Sequence, residues 1–204
     1  MTRLDFGINY RPLKSLSFEI TPGYSIYYNS LMYVNQFDYN KGKRYVMASI
    51  DRHTLNMSIR INYNITPDFS IQYWGQPFIA TGDYSEYKHI TNSKADAVNN
   101  RYHVFTDNQI SYNEVSETYS VDDNTDGTVD YSFDKPDFNY KEFLSNFVIR
   151  WEYQPGSTVF FVWSQTRNHY INNGTFDFNN NVNDLFAAGA NNIFLVKLSY
   201  RFGR

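Results

Sequence analysis

Between Leu55 and Phe78 the chain reads LNMSIRINYNITPDFSIQYWGQPF, and its side chains alternate with a period of two. Leu55, Met57, Ile59, Ile61, Tyr63 and Ile65 fall on one face of an extended chain, and Asn56, Ser58, Arg60, Asn62 and Asn64 on the other. After Thr66-Pro67-Asp68 the pattern restarts, with Phe69, Ile71 and Tyr73 against Ser70, Gln72 and Trp74. Two such runs about a short turn predict a β-hairpin with one greasy and one wet face. A half-buried hairpin of a soluble sandwich alternates in the same way, so repetition along the chain has to decide between lipid and a dry core.

The same pattern predicts about seven antiparallel strands. Leu4 to Arg11 is the first, with Pro12 to Ser15 as its turn. The second runs from Leu16 towards Tyr39, with a bulge or bend expected at Pro22-Gly23 and a turn at Asn40-Lys41-Gly42. The third returns from Arg44 to Ile65, with an irregularity near Asp51-Arg52-His53, and the fourth leaves Phe69 and continues past Pro77 to about Tyr87. From about 91 to 141 the periodicity is lost in a long polar excursion with room for a small hairpin. Alternation resumes at Phe147, Ile149, Trp151 and Tyr153, turns at Gln154 to Ser157, and runs on from Thr158 to Arg167. A second polar loop covers about 169–191. The last strand sets Phe194, Val196, Leu198, Tyr200 and Phe202 against Leu195, Lys197, Ser199 and Arg201.

Connections alternate between short Pro-containing turns and generally longer polar ones. Aromatic residues of the apolar face gather beside the short turns: Tyr10, Phe18, Tyr63, Phe69, Trp151, Tyr153, Tyr200 and Phe202. Sorted connections and a one-sided aromatic girdle are the signature of an antiparallel transmembrane β-barrel of a Gram-negative outer membrane, with the girdle on the periplasmic side. Such barrels have an even strand number and begin and end in the periplasm. Here the first and last strands both run towards the short-turn side, so at least one further strand is expected before Leu4. Residues 1–204 therefore read as the C-terminal portion of one larger barrel, with outer-membrane lipid and the preceding part of that barrel as partners. Tyr200 and Phe202 resemble the terminal signal recognised by barrel-assembly machinery, although Gly203-Arg204 extends beyond the usual end.

Composition narrows the picture further. Aromatic residues make up 19% of the chain, with 19 Tyr and 17 Phe, yet the mean hydropathy is −0.57. Amphipathic rings in that number suit a membrane interface. A net charge of −3 gives no footprint for nucleic acid, and the absence of cysteine excludes disulfides and thiol chemistry. No apolar run reaches the ~18 residues of a membrane helix. The N-terminus MTRLDFGINY lacks a signal-peptide profile, so a longer precursor is expected.

The phrases TLNMSIRINYNITPDFSIQYWGQPFIATGDYSEYK, YSFDKPDFNYKEFLSNFVIRWEYQPGSTVFFVWSQTRN and FLVKLSYRFG resemble an outer-membrane family with a C-terminal domain of unknown function. Its members typically place a carbohydrate-binding-like β-sandwich ahead of the barrel. The resemblance covers most of the chain after Arg44. It implies location and architecture; carbohydrate-binding or hydrolase labels on such proteins rest on their N-terminal part, and no catalytic residues carry over.

Candidate chemistry is sparse. Asp122, Asn124, Asp126, Thr128 and Asp130 stand at the alternate positions of a calcium loop, with Gly127 at the sharp turn. Phe133 occupies the place of the closing bidentate acid, so the bland alternative is a solvated acidic loop; no other cofactor is implied. Glu19, Arg60, Arg150, Glu152, Lys197 and Arg201 fall in the polar set and are expected to face the lumen, either lining a path or pairing across strands. Tyr27 and Trp74 on that face, and Trp163 inside the unbroken apolar run Val159 to Trp163, could stack on a sugar or simply pack. His53, His89, His103 and His169 lack metal-site spacing, and no G-x-S-x-G elbow or phosphate loop is present. The expected functions are a transport or binding barrel related to glycans, or a structural anchor with a filled interior that displays an N-terminal domain or docks outer-membrane proteins. A membrane hydrolase is the third.

Overall fold

Every alternating stretch becomes a strand of one open antiparallel sheet. The computed structural model describes residues 1–40 and 42–203. β1 (Thr2–Asp5) and β2 (Ile8–Leu13) lie end to end along β3 (Leu16–Tyr39), followed by β4 (Gly42–Thr66) and β5 (Phe69–Ile90). A 3-10 turn (Val98–Asn100), β6 (Tyr102–Val104), and the strands β7 (Ile110–Asn113), β8 (Thr118–Val121) and β9 (Tyr131–Asp134) fill the excursion. β10 (Phe138–Gln154), β11 (Ser157–Ile171), the helix α1 (Phe178–Ala187) and β12 (Asn191–Ser199) complete the chain. The main sheet runs β1/β2-β3-β4-β5-β10-β11-β12, β6 pairs with β5, and β7-β8-β9 form a separate sheet. Among the described residues the two edges of the main sheet do not pair, so it is not a closed barrel.

Register turns alternation into continuous bands. One apolar row passes through seven strands as Tyr10–Phe18–Ile61–Tyr73–Phe147–Trp163–Phe194, each residue directly opposite the next. Leu16–Tyr63–Ile71–Ile149–Phe161–Val196 is another row on that face. The opposite face carries Asn9–Glu19–Arg60–Trp74–Asn146–Ser164–Ile193. Directly opposed residues share a face, so a one-residue slip in any strand would break every row. No second layer covers these apolar rows: inside the sheet Trp163 is 38% exposed and Ile61, Tyr73 and Phe147 are half-buried, and on the edge strand Phe194 is 64% exposed.

Three connections at one end have two residues each: Lys14-Ser15, Pro67-Asp68 and Pro155-Gly156. Gly156 holds φ at 80°, a left-handed value that glycine adopts without steric cost. The opposite end carries the turn at 40–42, whose Lys41 lies outside the described residues, and the two long excursions.

Several expectations are corrected. Pro22-Gly23 makes no bulge: Thr21↔Ser58, Pro22↔Met57 and Gly23↔Asn56 pair without a shift. In an antiparallel strand a residue's N–H and C=O point to the same side. Pro22 accepts from Phe6 N with its carbonyl, so its missing N–H falls towards the edge, and the interruption appears there, between β1 and β2. The irregularity expected near Asp51-Arg52-His53 falls just before it: those three residues pair without a shift. The register changes at Asn29/Met32, opposite Ile50 and Ala48, at Tyr33/Asn35, and beside β5 at Met47/Ser49, where Glu86 takes φ 49°. The excursion expected at 91–141 holds a three-stranded sheet, and β10 begins at Phe138. The loop at 169–191 contains α1, capped by the Asp177 carboxylate, which accepts from Asn180 N. Tyr200 to Phe202 lie just past β12.

Candidate functional site

The two excursions clasp the upper wall from opposite faces. On β4, Arg44, Val46, Ala48 and Ile50 continue the parity of Arg60, so they belong to the polar face. There β7-β9 pack onto the wall, and Val46, Ala48, Tyr87, Phe105, Val121, Tyr131 and Phe133 form the buried core. The Arg44 guanidinium meets the Asp123 carboxylate at 2.7 and 3.0 Å, and Tyr131 O–H donates to it at 2.6 Å. His89 lies 3.8 Å from Asp123 and directly opposite His103. Burial, with Arg44 and His103 nearby, pushes its pKa down to about 4, although Asp123 draws it up. His89 therefore sits neutral inside the cap.

The second excursion lies on the other face, further along the strands that carry Phe147. Phe176 stacks on His53 with ring centres 5.4 Å apart, and α1 rests on β10 and β11. Lys141 is 0% exposed; its Nζ lies 3.1 Å from Asp184 and 3.4 Å from His169. Asn139 donates to Asn181 at 2.9 Å, and Arg167 donates to the Phe186 and Ala188 carbonyls at the end of the helix. Sequence reasoning missed this cluster because its members come from three separate polar stretches.

The residues expected to face a lumen do share one face along the strands. Glu19 opposes Arg60, and Arg150 bonds Glu152 at 2.6 Å, with Glu152 also accepting from Gly156 N. Lys197 opposes Phe160 with its ammonium 6.0 Å from that ring centre. Arg201 is off the strand, folded against Gly156, with its N–H donating to Ser157 Oγ. Trp74 lies between Arg60 and Asn146, beside a depression of about 150 Å³ that Asn62 and Gln72 also line. Tyr27 is stacked by Arg52 at 5.0 Å. Trp163 falls on the apolar face, paired with Phe147 and stacked on Phe194, which removes it from the sugar-stacking candidates.

Of the residues expected to form a girdle, Tyr10 stacks on Phe18 and Trp151 meets Tyr153 edge-on, while Tyr63 and Phe69 lie one strand apart at the same short-turn end. Tyr200 and Phe202 pair with each other past the last strand.

The acidic loop holds itself. Asp122 accepts from the N–H groups of Asp126 and Gly127 at 3.1 and 2.8 Å, and Asp126 from that of Thr128 at 2.9 Å. Asn124 accepts from Asp126 N, and Asp130 from Asp123 N. The Asp126 pKa is held below the usual carboxylate range by Thr128 and Asn124. Among the described residues, no three His, Cys, Asp or Glu side chains converge as a metal site.

The family described as "Domain of unknown function (DUF5916)" matches residues 1–202, from the first edge strand to the terminal aromatics. The chain belongs to this family. Membership thus extends over β1 to β3 as well as the phrases after Arg44. No curated protein and no solved structure matches the chain.

Proposed function

We propose that this DUF5916 chain forms one wall of a Gram-negative outer-membrane β-barrel, completed by further strands along its two open edges, and that the barrel transports or binds a polar solute. The apolar rows through Phe147 and Ile149, which cross seven and six strands with no layer packed over them, carry this reading. Soluble proteins rarely leave an apolar patch beyond a few hundred Å² uncovered, whereas lipid covers such a band without any partner protein. Tyr153 back to Phe147 is apolar at every second position of β10. Beyond the small and polar row of Gly75, Ser145, Gln165 and Asn192 the face ends at Phe143, 11 residues in all and within the ~9–11 that a tilted strand needs to cross. On the other face Trp74, flanked by Arg60, Asn146 and Gln72, offers a ring face ringed by hydrogen-bonding groups, which fits a sugar. The test is conductance of the full-length protein in planar bilayers. Arg60→Gln with Arg150→Gln should shift ion selectivity, and an oligosaccharide should block current in the parent and less in Trp74→Ala. A non-conducting protein would dismiss transport.

A second reading is a filled anchor that displays other domains or docks partner proteins. It draws on the β7-β9 sheet, which packs onto the polar face near the upper mouth and would narrow a lumen there. Persistent closure at all voltages, with normal insertion into lipid, would favour it.

A further inference from the structure

Helix α1 sits on the wrong side of the wall to act as a plug. Asn181 and Leu185, 3% and 0% exposed, seat it on the sheet, and Asp184 reaches the buried Lys141. Phe186 rests on Phe143 with ring centres 5.3 Å apart. Phe143 is four residues from Phe147 on β10 and so shares its face, at the upper limit of the 11-residue crossing stretch. One edge of the helix beside that seat is a stripe at i, i+4 and i+8: Phe178, Val182 and Phe186. Phe178 and Phe186 are 55% and 50% exposed, and the stripe carries no charge. The helix's one charged side chain, Asp184, is turned away to Lys141.

We propose that α1 is an interfacial helix whose Phe178–Val182–Phe186 edge lies in the headgroup region of the outer lipid leaflet, continuing the apolar band of the sheet. The inference rests on the reading that this face of the wall meets lipid. Water-exposed phenylalanines are costly on a short helix, while an interface takes an apolar edge about 5–10 Å deep. The contact of buried Lys141 with the half-exposed Asp184 and the Arg167 cap then serve to pin the helix at that height.

Residues 1–204 contain no cysteine, so single-site labels can be placed in them once any cysteine elsewhere in the full-length protein is replaced by serine. Nitroxide labels at Phe178→Cys, Phe186→Cys, Val196→Cys and Val115→Cys, in phosphatidylcholine vesicles, report accessibility to oxygen against a water-soluble nickel chelate. Val196 should lie deep, Val115 (97% exposed) fully in water, and 178 and 186 in between, with an oxygen-to-nickel ratio several-fold above that of Val115. Labels at 178 and 186 that match Val115 while Val196 is deep overturn the proposal and leave the membrane reading intact. If Val196 also matches Val115, both fall. Phe186 touches Phe143, so a disturbed helix in that variant is judged against Phe178→Cys.

Discussion

Phe147 and Lys141 lie on the same face of β10 six residues apart, and their surroundings follow opposite rules. Around Phe147 and Ile149 the wall carries isoleucines, valines and aromatic rings in two half-exposed rows, with no buried core on that side, and the next row up turns small and polar at Gly75, Ser145, Gln165 and Asn192. Around Lys141, and across the sheet around Val46, the same strands bury charges, histidines and amides beneath covering segments, as a protein in water does. On β10 the pairing runs without a shift from Asn139 to Trp151, so between Lys141 and Phe147 the change belongs to the surroundings and not to the backbone; around Val46 three register shifts accompany it. On the membrane reading one sheet has two solvents: lipid takes up the apolar side chains of the lower wall, and the upper cap carries its own interior.

The largest expected effect separates the two regions. Phe133→Ala in the cap core should cost about 3–5 kcal/mol locally. Limited proteolysis should then cut within 91–137 while the lower wall keeps its heat-modifiable gel shift; loss of that shift would show the regions to be one unit. Next, Ile61→Arg in the middle apolar row should cost about 2–4 kcal/mol of stability in vesicles. An unchanged urea midpoint there would mean the row does not face lipid. Acid should act on the cap alone. His89 has a folded pKa near 4, below its unfolded value, so between about 4 and 6.5 the unfolded chain binds more protons. Its contribution is fully present above about 6.5 and is lost as the pH falls towards 4. Proteolysis of the cap should rise over that window, and His89→Gln should flatten the rise. The smallest effect falls on the acidic loop: Asp122→Ala, losing two backbone partners, should cost about 1 kcal/mol. Because that loop satisfies its own oxygens, calcium titration of the parent should give no heat above buffer; measurable heat would show that calcium displaces those internal bonds.

The lower wall was legible in the sequence because every strand there except β11 obeys one period, and its two-residue turns contain Pro or Lys-Ser between the runs. The all-β antiparallel character and the shared polar face of Glu19, Arg60, Arg150 and Lys197 follow from that period alone. Trp163 was not placeable, since Val159 to Trp163 is apolar on both faces and only pairing with Phe147 fixes its side. The cap was illegible for a different reason. β7, β8 and β9 have four residues each, too few to establish a period, and their core is assembled from residues as distant as Phe37 and Tyr131. α1 is half asparagine and aspartate, poor helix formers, yet it left a signal: Asp177 as N-cap before Phe178, Val182, Leu185 and Phe186 at helical spacing.

The length of β4 carries its own consequence. Its 25 residues, at ~3.4 Å each and a ~45° slope, climb about 60 Å, while the bilayer's oily layer takes only ~25 Å. On the membrane reading, more than half of that ribbon is a tower standing in the surrounding fluid. An antibody or phage fibre approaching the cell would meet the summit near Tyr39 and Tyr45 long before it reached the bilayer, so change at the summit alters what outsiders see without disturbing the part embedded below.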